Sequence, residues 1–146
     1  MIKYTQSKVS IKNSDGVWVS RGNCFQTTIA CLLEIPPTEV PNVETLFDMP
    51  ESPWYSVMWQ FLKHKGYELC TDDRYKVFHD ESYGLEQGKR DEWLSDLKDK
   101  LYLVSGKSPR GINHVCVFQN GKMIWDCHPS REGILTQDYF ESLDKI

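Results

Sequence analysis

The chain has 146 residues, a formal net charge of −4 at pH 7, 40% hydrophobic residues and 12% aromatics. That is enough apolar chain to pack one domain over 1–146 and too much for a disordered tail. Charges of both signs are interspersed, which leaves no basic stripe for nucleic acid, and no run reaches the roughly eighteen apolar residues of a membrane span.

Met1-Ile2-Lys3-Tyr4-Thr5-Gln6 lacks the apolar core of a signal peptide. Five cysteines, an odd number without a secretory signal, read as free thiols in a reducing compartment, so a cytoplasmic protein is expected.

Along the chain, short apolar alternations (Val9, Ile11, then Val17, Val19) flank Asn13-Ser14-Asp15-Gly16, and Asp-Gly there predicts a hairpin turn. Phe25, Thr28, Ile29, Leu32 and Leu33 recur at helical spacing and predict a first helix over 24–34. Asn23 stands at its N-cap, where its side chain suits an orphan amide of the first turn, and Pro36-Pro37 stops it. Thr38 to Val40 suggests a short turn.

A second helix is predicted over 53–65, capped by Ser52, with Trp54, Val57, Met58, Phe61 and Leu62 as its apolar face and Gly66 beyond its end. A strand Tyr67–Cys70 follows. Residues 71–90 read as a loop-rich insertion, and Asp91 to Leu97 as helical. From 100 the pattern turns to strands at 101–105, 114–118 and 123–126, and 136–144 reads as a short closing helix. Helices first and antiparallel strands last is an α+β pattern.

The chemistry centres on Cys24, His114 and Asp126. A thiol attacks as thiolate, and a helix N-terminus favours negative charge, so Cys24 just after the cap is placed for a lowered pKa. Gly22 leaves room for a substrate backbone, and the Cys24 N–H can face a developing oxyanion. Cys31, seven residues on among leucines, reads as buried and inert.

Asn120-Gly121 signals a hairpin, with two registers open. A two-residue turn pairs His114 with Cys127 and sends Asp126 to the other face. A three-residue loop over Gln119-Asn120-Gly121 sets His114 opposite Asp126, so that the carboxylate orients the imidazole for the thiol. Cys24, His114, Cys127 and His128 are zinc-type ligands, but no Cys-x-x-Cys or His-Glu-x-x-His spacing accompanies them, and no metal or cofactor is expected.

These residues resemble the papain-like cysteine peptidases, and more narrowly small bacterial and phage proteins related to the bacteriocin-processing (C39-like) peptidases. Gly22-Asn23-Cys24 with the segment 32–41, Ser105 to Gly111, and His114 with Asp126 to Arg131 carry the match, about a third of the chain. The resemblance implies a helical N-terminal half packed on a C-terminal antiparallel sheet, with Cys24 as nucleophile, His114 as general base and acid, and Asp126 as its orienter. It implies hydrolysis of a peptide, isopeptide or amide bond in a protein or peptide substrate through a thioester. An amine acceptor would make the same chemistry transglutaminase-like, and a non-catalytic binding protein on this scaffold is the contrasting class.

One departure stands out. The family's oxyanion glutamine lies six residues before the nucleophile, and here that position is Trp18. Gln6 on the preceding strand takes the role, with Asn23 or Gln26 as alternatives. Arg110 and Arg131 flank the His and Asp strands, where their planar forks suit a substrate carboxylate or phosphate, or else brace the loops. His128 supports them from beside the pair.

Overall fold

The computed structural model describes residues 1–51, 53–71, 92 and 94–146. It is a mixed α+β structure whose framework is a five-stranded sheet in the order β3-β7-β4-β5-β6, with every neighbouring pair antiparallel. The strands are β3 (Tyr67–Thr71), β4 (Leu101–Lys107), β5 (Asn113–Gln119), β6 (Lys122–Trp125) and β7 (Tyr139–Lys145). A separate two-stranded hairpin joins β1 (Ile11–Lys12) and β2 (Trp18–Ser20), and Asn13 Oδ1 accepts from the Asp15 and Val17 amides to hold its Asp-Gly turn.

Two helices cover one face of the sheet. Helix α1 (Cys24–Leu33) ends at Glu34, whose φ of 58° takes the left-handed position before the prolines. Helix α2 (Trp54–His64) ends at Lys65, with Gly66 at φ 87° just beyond, as its sequence position predicts. Phe25, Ile29 and Ala30 of α1 and Met58 and Leu62 of α2 pack with Leu103, Val115 and Val117 of the sheet. The alternate residues Tyr102, Val104, Cys116, Phe118 and Phe140 form a second cluster on the opposite face. The short turn suggested at 38–40 is a 3₁₀ turn at Pro37–Glu39, and a second one spans Glu44–Leu46.

The N-terminal segment straps these layers together without being a strand. The Ile2 N–H donates to the Cys31 carbonyl of α1, the Gln6 N–H donates to the Cys127 carbonyl, and Trp125 Nε1 donates to the Tyr4 carbonyl.

The closing helix expected over 136–144 is instead β7, paired with both β3 and β4. Its acidic and polar composition suits a helix in isolation. Two neighbouring strands nevertheless offer hydrogen bonds on both sides, and Phe140 and Leu143 fill opposite faces. Asn23 stands at the N-cap of α1 but does not cap it with its side chain, as its amide faces Ser7 and Gln26 and its Oδ1 accepts the Lys8 N–H. Val57, expected on the buried face of α2, is exposed. Glu92 and residues 94–96 are helical; the Ser52 cap, most of the insertion over 71–90, Asp91 and Trp93 lie outside the described residues.

Candidate active site

The hairpin β5–β6 decides where Asp126 points. Gln119 pairs with Lys122, so the turn is Asn120-Gly121 alone, with φ of 51° and 78°. Both residues take the left-handed region, which is why Asn-Gly suits this turn. Phe118 then pairs with Met123, but Val117 pairs with Trp125, and Ile124 is an extra, bulged residue.

The expected three-residue loop is therefore absent, and the two-residue register without a bulge would have turned Asp126 away. The bulge shifts the register by one further residue, which sets Asp126 on the face shared by Cys116 and His114. His114 Nε2 lies 2.5 Å from Asp126 Oδ1.

That carboxylate is fully engaged. Oδ1 also accepts the His128 N–H at 2.8 Å, and Oδ2 accepts the Gly133 N–H at 2.7 Å. Burial alone would raise the Asp126 pKa, but the His114 contact and these amides outweigh it and bring it down to about 2. The aspartate is thus a fixed anion that holds one imidazole nitrogen, and among the described residues Nδ1 has no hydrogen bond.

Cys24 has a different partner. Its thiol donates to Glu44 Oε1 at 3.0 Å, and the same oxygen accepts the Phe25 N–H at 2.9 Å. Glu44 is 3% exposed and, from its 3₁₀ turn, caps the start of α1 in place of Asn23. The lowered pKa expected from the helix start is not the net result. Burial raises the Cys24 pKa well above the ordinary thiol range and the Glu44 charge raises it further, while the Val115 backbone pulls only partly the other way.

Cys24 and His114 line one cavity of about 650 Å³, together with Phe25, Glu44, Val115 and Glu141. Among the described residues no hydrogen bond joins the thiol to the imidazole. Alternation along β5 turns Val115 and Val117 toward α1, so His114, one residue off that period, meets Asp126 instead.

The expected oxyanion side chains are placed behind the helix start. Gln6 Nε2 donates to the Lys8 carbonyl, and its Oε1 accepts from Cys127, whose thiol is within reach of the Cys24 carbonyl. Asn23 is committed to Ser7, Lys8 and Gln26, and Gln26 Nε2 donates to the Pro37 and Val40 carbonyls. Gly22 serves packing rather than substrate approach, because a Cβ there would stand 2.8 Å from Ser10 Oγ and 2.9 Å from the Lys8 carbonyl. Trp18 lies between two cations, with Arg21 Cζ at 3.8 Å and Lys12 Nζ at 4.3 Å from its ring centre.

The two arginines brace loops. Arg110 Nη1 donates to Ser130 Oγ and lies 3.5 Å from Glu132, and Arg131 Nη1 donates to the carbonyls of Asp126 and His128. His128 rests edge-on to His114, with ring centres 5.9 Å apart, and its Nδ1 faces Ser130 Oγ. Donor atoms of His114, Asp126 and Cys127 fall within 4.8 Å of one another. The Asp126 oxygens are spent on three donors, however, and burial pushes the Cys127 thiol up to about 12, so this trio is poorly suited to a cation that needs deprotonated ligands.

No protein-family model, curated protein or solved structure matches this chain. No helix among the described residues is long and apolar enough to cross a membrane.

Sequence reasoning missed Glu44 and Glu141. The signal for the first is a lone acid within Val43-Glu44-Thr45-Leu46-Phe47, and for the second an acid between Tyr139-Phe140 and Leu143. A charge in an apolar run is either surface-facing or buried for a purpose.

Proposed function

We propose that this chain is a cysteine-nucleophile hydrolase of the papain-like, C39-related kind, acting on a peptide, isopeptide or amide bond of a protein substrate in a reducing, cytoplasmic setting. Cys24 attacks the carbonyl to give a thioester, His114 takes the thiol proton and returns it to the leaving amine, and Asp126 holds the imidazole. One observation carries this reading: the 2.5 Å contact between His114 and Asp126 at the wall of the cavity that Cys24 enters from a helix start. The five cysteines, none of them in a disulfide, suit the compartment.

In the resting arrangement Glu44 keeps the proton on sulfur and occupies the Phe25 amide. A substrate carbonyl that displaces Glu44 gains that amide and the Cys24 N–H as oxyanion donors. The freed thiol then turns to His114.

The Cys24–Glu44 bond itself favours the contrasting reading, a binding protein whose thiol stays neutral. Labelling of new protein termini separates the two. A cell lysate incubated with the wild-type protein is expected to show new termini that are absent with Cys24→Ser and with His114→Ala. Identical terminus profiles for all three proteins would leave the binding reading standing.

A further inference from the structure

We infer that the cavity at Cys24 selects a cationic side chain, a lysine or arginine of the substrate, and that Glu141 is the residue that receives its charge. The inference deepens the hydrolase reading and rests on it for the bond that is cut, but not for the charge preference.

Glu141 pairs with Leu103, and Ser105 pairs with both Val115 and Tyr139, so these residues share the helix-covered face that floors the cavity. Leu103 and Val115 fill that face with the hydrocarbon expected of it. Glu141 sits among them, 9% exposed, and among the described residues its carboxyl has neither a hydrogen bond nor an ion pair. Buried acids of this kind are almost always paired, because an uncompensated carboxylate away from water is costly.

Among the described residues none of the polar groups that line the cavity is hydrogen-bonded to Glu141. No lysine or arginine lines it among the described residues, and the other buried acid, Glu44, is already committed to the Phe25 amide and the Cys24 thiol. The walls are aromatic: Phe25, Phe47, Trp54 and Tyr55 meet edge to face, with ring centres 5.4 to 6.4 Å apart. Such rings pack against an aliphatic stem and attract a cation at their faces. A volume of about 650 Å³ holds a long side chain with part of its backbone. A lone carboxyl, a set of aromatic rings and a thiol lining one cavity form a receptor for an apolar stem that ends in positive charge. Burial pushes the Glu141 carboxyl up to about 7, so a nearby cation has a proton to displace near neutral pH.

Charge-matched thiol reagents test this in the intact protein without a known substrate. Aminoethyl, methyl and sulfonatoethyl methanethiosulfonates each transfer a thioalkyl group to sulfur and release methanesulfinate, and they differ in the charge they carry. Rates at Cys24, read by peptide mapping and normalised to free cysteine, are expected to favour the aminoethyl reagent over the methyl one at least tenfold, with the sulfonate slowest. Glu141→Gln is expected to bring the first ratio close to one, and Glu44→Gln to leave most of it in place. A wild-type ratio near one, or a ratio unchanged by Glu141→Gln, overturns the inference.

Should Cys24 resist all three reagents, the side-chain carboxyl ¹³C shift of Glu141 reads the same contact. Its titration midpoint is expected to fall by at least one unit with Nα-acetyl-lysine amide, and a fixed midpoint is equally fatal. Charge preference without new termini in the lysate defeats the hydrolase reading alone. New termini without charge preference defeat this inference alone.

Discussion

Two buried carboxylates stand at the two halves of the candidate site and do opposite things. Asp126, at the end of the β6 hairpin, accepts from an imidazole and two backbone amides and is a permanent anion. Glu44, in a 3₁₀ turn beside α1, accepts from a thiol and one amide, and its charge makes that thiol harder to ionise. The same functional group prepares one partner and restrains the other, because the imidazole gains from a nearby negative charge and the thiolate loses by it. In the proposed hydrolase the histidine half is set before substrate arrives, and the cysteine half is set only when something displaces Glu44.

The most direct way to break this comparison is to remove its prepared half. Asp126→Asn is expected to lower turnover of a cleaved peptide by about 10²–10⁴-fold while circular dichroism stays native, since the imidazole loses its anion and its orientation. An unchanged kcat would remove Asp126 from the mechanism.

Inserting one alanine between Trp125 and Asp126 attacks the same half through geometry. The added residue turns Asp126 to the other face of the sheet, and turnover is expected to fall by roughly 10²-fold or more although no polar group has been removed. Deleting Ile124 alone is expected to leave turnover near wild type, because Trp125 still pairs with Val117 and Asp126 keeps its face.

The restrained half is tested by Glu44→Gln, which keeps an acceptor for the Phe25 amide and removes the charge. Alkylation of Cys24 by iodoacetamide is expected to quicken about tenfold at pH 7, with the rate midpoint moved to lower pH, because each unit of thiol pKa is tenfold in thiolate. Adding His114→Ala is expected to slow it again. A Glu44→Gln thiol as slow as wild type would mean that burial alone sets its pKa.

Stability against pH sharpens the contrast last. The Asp126 pKa is lowered to about 2 in the folded protein, so its contribution, roughly 2 kcal/mol, is present above the ordinary carboxylate range and is lost as pH falls from about 4 to about 2. Glu141 is raised to about 7, so its contribution has the opposite sign: stability is full below the ordinary range and declines by roughly 3 kcal/mol as pH rises through about 7. In urea melts Asp126→Asn is expected to flatten the acid limb. Glu141→Gln is expected to be more stable than wild type at pH 8 and close to it at pH 4.

Much of the frame is legible in the chain. The start of α1 at Cys24, its stop before Pro36-Pro37, the glycine after α2 and the two Asx-Gly hairpins follow from local chemistry that few tertiary contacts override. Strand β7 is not legible, because its state is set by β3 and β4, whose pairing with it is invisible to its own sequence.

In the site the identity of the His–Asp pair is readable, but the route to it is not. Turn chemistry selected Asn120-Gly121, and a bulge with no sequence marker corrected the face. Glu44 escaped notice because it lies twenty residues from the thiol it touches, and only the fold brings a helix start and a 3₁₀ turn together.

The bulge at Ile124 also governs how this hairpin can change in length. Side chains alternate between two faces, so between His114 and Asp126 the backbone acts as a parity counter. One residue gained or lost within the regular pairing exchanges the faces of everything downstream unless a bulge or the turn absorbs it, and two restore them. A shorter turn with a bulge and a longer turn without one are equal answers to the same count. Variants of this hairpin should then keep the histidine and aspartate together when each single insertion or deletion is matched by a bulge or turn residue gained or lost.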